Sequence, residues 1–235
     1  GHYACPNCGA ERPRPEVAAT SIELHGMEGS RSRVRTPSGE IELKLPLPGL
    51  YNVYNALAAV AAGLRLGVAP ERIAGALGEM RAAFGRVETI PVSGTPVSIL
   101  LIKNPAGANE VLRTLMLESR ERGEDGDGID LWIALNDRIA DGRDVSWIWD
   151  ADFELLAGGV RRVVCTGTRA PEMALRLKYA GWPEEAIEVV DGIEASLDAA
   201  VAGSPGRLFA LPTYTALLEL RKLLADRGLA KEFWR

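Results

Sequence analysis

The stretch Ile129–Asp137, "IDLWIALND", is a short apolar run that stops abruptly in polar turn residues. A continuous apolar run of this length, bounded by turn signals, reads as a strand buried on both faces. Four further segments have the same form: "VSILLIKNP" (Val97–Pro105), "VRRVVCTGT" (Val160–Thr168), "IEVVD" (Ile187–Asp191) and "GRLFALPTY" (Gly206–Tyr214). Each of the five leads into a helical pattern, namely "AGANEVLRTLMLESRER", "DADFELLAG", "APEMALRLKYAG", "GIEASLDAAVAG" and "TALLELRKLLADRG". "GEDGDG" (Gly123–Gly128) is a polar turn between the first helix and Ile129. Strand–helix alternation of this kind implies an α/β fold, a Rossmann-like, mainly parallel sheet with helices on both faces. The loops around Asn104, Asn136, Gly167 and Pro212 then lie along one edge, where ligands bind in such sheets.

The texture before Pro91 differs. "SIELHG", "SRVRTPSG" and "EIELKLPLPG" alternate polar and apolar residues between turn signals, which predicts an antiparallel meander over Ala18–Leu47. "NVYNALAAVAAGLRLG" (Asn52–Gly67) takes up helical periodicity with Gly67 as terminator, and "APERIAGALGEM" (Ala69–Met80) is a second helix with Pro70 in its first turn. "AFGRVETIPV" leads out of it. The expected division is therefore a small α+β unit over 1–90 and a complete α/β domain over 91–235.

Bulk properties narrow the classes. The 235 residues are 47% apolar and 25% charged with net charge −5, an ordinary globular balance with no basic run for nucleic acid. No apolar stretch approaches the roughly 20 residues that span a bilayer, and no secretory signal pattern is present. Three cysteines form no disulfide framework, which points to a reducing cytoplasm. "GHYACPNCGAERP" opens on Cys5-x-x-Cys8 without an initiator methionine, which reads as a chain whose front is missing. The two thiols are half of a tetrahedral zinc ribbon, while Cys165 reads as a buried strand residue.

The loop after Ile129–Asp137 carries unusual chemistry. "ALNDRIADGRDVSWIWD" (Ala134–Asp150) holds four aspartates, two arginines and two tryptophans in seventeen residues. Aspartates in loops usually turn or cap, so Asp137 and Asp141 read as turn and cap residues and Asp150 as the cap of "ADFELLAG". Arg138 and Arg143 oppose a cation site. Trp147 and Trp149 stand two apart, so one is expected in the core and the other at an interface. The only histidines are His2 and His25, which rules out a self-contained histidine triad in the α/β domain. No G-x-x-x-x-G-K-[ST] occurs, so the chain carries no P-loop of its own.

"GLYNVYNALAA" brings Asn52 and Asn55 to a helix start, where side-chain amides serve a nucleotide or merely cap. Arg86 in "GRVE" is a donor fork for phosphate, or the partner of Glu88. "KNPAG" (Lys103–Gly107) closes the first strand of the α/β domain. Taken with the Cys-x-x-Cys pair, "ADGRDVSWIWDADFE", "TGTRAPEMALRLK" and "PTYTAL", these motifs resemble the Mur ligase family, and within it the MurT group, over essentially the whole chain. The resemblance implies that residues 1–90 are a remnant of the family's central ATPase domain and 91–235 its carboxyl-terminal domain. It implies part of an ATP-dependent amidotransferase. That enzyme converts the D-glutamate of lipid II to D-isoglutamine with ammonia from a GatD-type glutamine amidotransferase subunit, in the cytoplasm at the inner membrane face.

By the same resemblance Asn52, Asn55, Arg86 and Asn104 lie near ATP and Mg2+. Cys5 and Cys8 are ligands of Zn2+, and Asp144 completes the glutaminase triad in trans. An ordinary Mur-type amino-acid ligase and a non-catalytic glutaminase-docking module are the alternatives. Without a P-loop, these 235 residues alone are expected to release no phosphate from ATP above background. A phosphate-release assay showing turnover would overturn this.

Overall fold

A computed structural model of the chain describes residues 2–80, 86–122 and 128–230, with side chains omitted at 86, 87 and 120–122. The amino-terminal part is a three-stranded antiparallel sheet of β1 (Ala18–His25), β2 (Gly29–Thr36) and β3 (Gly39–Leu45), in that order. The meander expected over Ala18–Leu47 is thus present. Helices α1 (Leu50–Arg65) and α2 (Pro70–Gly78) cover it. Val34, Leu43, Val60 and Leu77 form their shared core, and Pro70 occupies the first turn of α2 as its fixed φ allows.

The second sheet has six strands in the order β4-β5-β9-β6-β7-β8. These are β4 (Arg86–Val92), β5 (Thr95–Leu100), β6 (Ile129–Ala134), β7 (Val160–Thr166), β8 (Ile187–Val189) and β9 (Leu208–Pro212). β5, β9, β6, β7 and β8 are parallel, and only the edge strand β4 runs antiparallel. β4 is a correction to the sequence reading, which treated "VETIPV" as a lead-out segment. It pairs with β5 through Ser93 and Gly94, whose φ values of 49° and 88° make the tight turn that suits a two-residue hairpin. Pro91 is tolerated because an edge strand need not donate outward. β4 crosses the expected 90/91 division and belongs wholly to the second sheet.

The helices α3 (Pro105–Arg122), α4 (Ala170–Tyr179), α5 (Ile193–Ala202) and α6 (Tyr214–Asp226) divide between the two faces. Period-2 geometry explains the division. Ile129, Leu131 and Ile133 of β6 face α3 and α4, packing with Leu112, Leu115 and Met173, whereas Trp132 and Ala134 face α5 and α6. Trp132, fully buried, donates its indole N–H to the Ser196 hydroxyl at 3.0 Å. The helix expected over "DADFELLAG" is absent. A 3₁₀ turn, Phe153–Leu156, stands there instead, and another, Ser146–Asp150, precedes it.

Because α3 and α6 lie on opposite faces, β5 and β9 are neighbours whose connections diverge, which opens a crevice beyond their carboxyl ends. The amino-terminal part reaches this crevice at Pro48 and Tyr51, and it also meets the far end of α3. The turn at Gly26–Glu28 approaches Glu118, and Met27 packs on the main core.

The loop after β7 depends on Gly167. Its φ is +96°, and a Cβ there would lie 2.5 Å from the Leu135 carbonyl oxygen and 2.8 Å from Asn136 Oδ1. Gly167→Ala combines left-handed strain with a clash against rigid backbone, so it should cost more than about 1 kcal/mol. A urea midpoint equal to that of the parent would refute this.

Candidate functional site

The loops after β6, β7 and β9 are tied into one network at the sheet's carboxyl edge. Thr213 N donates to the Ala134 carbonyl at 2.9 Å, and its hydroxyl accepts from Asn136 N at 3.0 Å. The buried Asn136 carboxamide bridges two loops: Thr168 N donates to its Oδ1 at 3.0 Å, and its Nδ2 donates to Thr215 Oγ1 at 2.9 Å. Asp137 accepts from Thr168 Oγ1 at 2.8 Å. Asp141 accepts from Thr215 N at 2.8 Å and from Thr215 Oγ1 at 2.5 Å. A carboxylate on those groups caps the amino-terminal turn of α6 and meets its positive dipole end. Asp137 and Asp141 are therefore turn and cap residues, although Asp141 caps a helix distant in sequence.

These ties leave the apex of the loop, Gly142–Asp144, projecting into solvent. Asp144 is exposed, and among the described residues it accepts from its own turn, with Ser146 N at 2.8 Å. Ser146, through its hydroxyl first and then its backbone N–H, holds the Asp144 carboxyl below the ordinary aspartate range. It is thus an ionised acceptor at neutral pH with free lone pairs.

Arg176 of α4 holds the segment beyond. Its guanidinium is buried and donates to the carbonyls of Ile148 at 2.9 Å and Ala151 at 2.7 Å, and pairs with Glu154 at 2.9 Å. The same group lies over the rings of Trp149 at 5.4 Å and Phe153 at 5.5 Å. Ile148 seals the underside, and Trp147 packs on the main core while Trp149 remains half exposed. The two tryptophans divide between core and surface as expected, on a 3₁₀ turn and not an extended strand. Asp150 sits inside that turn, exposed, and caps nothing.

A second feature is a cleft of about 290 Å³ between the α1 entrance and the β5–α3 loop. Pro48 and Tyr51 line one side, and Lys103, Asn104, Gly107 and Glu110 the other. Asn104 Oδ1 accepts from Gly107 N at 2.8 Å and so caps α3, leaving its amide N–H groups free to turn to the cleft.

Comparison with known proteins settles the lineage. Residues 101–217 match the MurT ligase C-terminal family, and residues 8–63 match the Mur ligase middle domain family. The lipid II isoglutaminyl synthase (glutamine-hydrolyzing) subunit MurT of Streptococcus pneumoniae is 35% identical over 99% of this chain and 50% of that protein. The subunit of the same name from Staphylococcus aureus is 32% identical over 95% of this chain and 48% of that protein. A crystal structure of MurF from Acinetobacter baumannii superposes with a TM-score of 0.67 at 25% identity, covering 90% of this chain and 45% of that one. The chain belongs to the Mur ligase family. Its α/β domain is of the MurT type, and it spans about half the length of the curated relatives that it matches.

As a Mur ligase chain it distributes the expected nucleotide residues unevenly. Asn104 lines the cleft, while Asn52 and Asn55 do not. Asn52 Nδ2 instead donates to the Pro48 carbonyl at 2.8 Å, fixing the turn into α1, and Asn55 donates to Asn52 Oδ1 at 3.4 Å. Both stand beside Tyr51, one turn of helix apart. Arg86 opens β4, and its side chain lies outside the described ones. Glu88 does not need Arg86, because it pairs with the buried Arg221.

Cys5 and Cys8 occupy a tight loop closed by Gly9 N to the Cys5 carbonyl at 3.0 Å. The backbone N–H groups of Cys8 and Asn7 lower the Cys5 thiol from its usual range. Among the described residues no group of three or more His, Cys, Asp or Glu could hold a metal, so the Zn2+ ligation expected of Cys5 and Cys8 finds no support there. Cys165 is buried on β7 and its thiol is pushed up to about 12 by desolvation, in keeping with an inert core residue.

The sequence reading did not single out three residues. Tyr51 and Lys103 line the cleft, and their signal was position beside the Asn-Pro and Gly-Leu-Tyr-Asn motifs. Arg176 had none, since an arginine on a helix ordinarily faces water. Arg176→Met should leave two buried carbonyls without donors, at about 1–3 kcal/mol each. Chemical denaturation should register a loss of at least about 2 kcal/mol, and a smaller one would show that solvent satisfies them.

Proposed function

We propose that this chain supplies the carboxyl-terminal half of an ATP-dependent amidotransferase that amidates the D-glutamate α-carboxyl of lipid II. The support is its likeness to two proteins named as MurT subunits of a glutamine-hydrolyzing lipid II isoglutaminyl synthase, over nearly all of its length. In this reading ATP phosphorylates the carboxylate to an acyl phosphate. Ammonia attacks the carbonyl carbon, and phosphate leaves. The whole protein binds ATP and Mg2+, with Asn104 and the cation Lys103 facing the nucleotide from the cleft, and with Asn52, Asn55 and Arg86 assigned to the nucleotide by the family resemblance. The part through α2 belongs to the ATPase domain, and the part from β4 onward to the carboxyl-terminal domain. Cys5 and Cys8 contribute two thiolates to a zinc ribbon whose other ligands come from elsewhere. The protein works in the cytoplasm, on substrate at the inner membrane face. The described residues contain no helix long and apolar enough to cross a membrane.

Ammonia comes from a separate glutaminase of the GatD type, and Asp144 completes its catalytic triad. The observation that carries this reading is the state of Asp144: exposed, ionised, hydrogen-bonded among the described residues only within its own turn, and mounted on a clamped loop. A cysteine–histidine pair needs an acceptor for the second ring N–H, which fixes the tautomer and steadies the imidazolium. With both histidines of the chain at positions 2 and 25, Asp144 has no imidazole of its own domain to serve. Supplying that carboxylate from a partner makes glutamine hydrolysis conditional on docking.

The test uses the full-length protein with its glutaminase. Asp144→Asn keeps the shape but removes the charge, so glutamine hydrolysis should fall by about 10⁴-fold, as for loss of the orienting carboxylate in the serine-protease template. Amidation driven by added ammonium should persist in the same complex. Unchanged glutamine hydrolysis would remove Asp144 from the triad.

A further inference from the structure

The 3₁₀ turn that begins beside Asp144 ends in an exposed aromatic patch. Trp149 is 50% exposed and Tyr179 of α4 is 71% exposed, and their rings meet edge to face at 5.9 Å. Leu175, 48% exposed, stands four residues before Tyr179 on the same face of α4. This surface is held rigidly. Arg176 underlies the Trp149 ring at 5.4 Å while its donors grip the backbone at Ile148 and Ala151 on either side. Charged pairs border it: Lys178 with Glu184 at 2.7 Å and Arg169 with Glu172 at 2.7 Å. A pre-ordered aromatic centre with a charged rim is the composition of a binding hot spot.

We infer that the patch of Trp149, Tyr179 and Leu175 is the docking anchor for the glutaminase subunit that receives Asp144. The inference rests on the reading of Asp144 given above. Its occupant follows from distance. Two extended steps from Asp144 to Ser146 cover at most about 7 Å, and three 3₁₀ steps to Trp149 add about 6 Å. Trp149 therefore lies within about 13 Å of Asp144. A standard interface buries about 800 Å² on each partner, a disc of roughly 16 Å radius. A footprint of that size centred on Asp144 reaches this patch. The rigid mounting reduces the ordering cost of docking, since Trp149 is already stacked before the partner arrives. The short turn thus couples the two events: Asp144 at its start enters the partner's active site while Trp149 at its end bears on the partner's surface.

The experiment uses the full-length protein and the purified glutaminase. Hydroxyl-radical footprinting of Trp149 and Tyr179 should show both rings reactive in the protein alone and protected when the glutaminase is added. Protection in the protein alone would mean that another segment of the protein, or a second copy revealed by light scattering, covers the patch, and would overturn the inference. Trp149→Ala and Tyr179→Ala should each weaken association at least 10-fold in calorimetric titration. Tyr179 is exposed enough that its variant should keep the parental melting temperature. Asp144→Asn should abolish hydrolysis with little change in affinity. Loss of hydrolysis in Asp144→Asn together with parental affinity in both aromatic variants would sink the docking anchor alone. Normal hydrolysis in Asp144→Asn would sink the triad reading and, with it, the reason for placing the glutaminase here.

Discussion

The insertion of β9 between β5 and β6 is the constraint on which the functional edge of this protein depends. β9 is last in the chain and central in the sheet. Its terminal residues bond to both neighbours, with Ile102 N donating to the Pro212 carbonyl at 3.0 Å and Thr213 N donating to the Ala134 carbonyl at 2.9 Å. A parallel strand in this position is buried on both faces, and Leu208–Pro212 are buried throughout. The insertion brings the amino terminus of α6 beside the loop after β6, where Asp141 can cap it. It also separates the loops after β5 and β6, so the cleft lined by Lys103 and Asn104 and the loop bearing Asp144 occupy different stations along one edge. In the proposed function, two chemistries that must not mix, activation of a carboxylate and hydrolysis of glutamine, are served from different stations of one sheet.

The Asp144 loop shows how polar residues divide between holding a site and being one. Of its four aspartates, Asp137 and Asp141 spend their lone pairs on Thr168 and Thr215, and Asp150 faces water inside a 3₁₀ turn. Asp144 alone keeps acceptor capacity at the exposed apex, and its local bond to Ser146 N holds it in place without consuming it. On the far side Arg176 performs the converse task. It is a buried cation whose donors are taken up by carbonyls, a carboxylate and two ring faces, so its charge is compensated and its geometry determined.

Much of the fold was legible because strand burial and helix periodicity are local patterns. The five parallel strands, the antiparallel meander and α1 through α6 fall where apolar runs and glycine or proline punctuation place them. β4 was missed although "VSGTPV" carries a hairpin dipeptide, because Pro91 reads as an interruption until the strand is seen to lie at an edge. The segment after Asp150 was misread as an ordinary helix because four apolar residues suit either winding. At the site, Asn52, Asn55 and Asn104 illustrate the limit of motif reading: each makes a local structural bond, and only Asn104 also lines the cleft.

By itself the sequence determined the α/β class, the lineage and the absence of any histidine to partner Asp144 within its domain. These are matters of periodicity, motif and inventory, which need no third dimension. Only the tertiary structure decided the order of the strands and therefore which loops meet. It also decided that Asp141 caps a helix 74 residues away and that a charged arginine lies buried beneath Trp149. The reason is that these choices turn on which donors remain unpaired after packing. That quantity belongs to pairs of residues far apart in sequence and is carried by neither member alone.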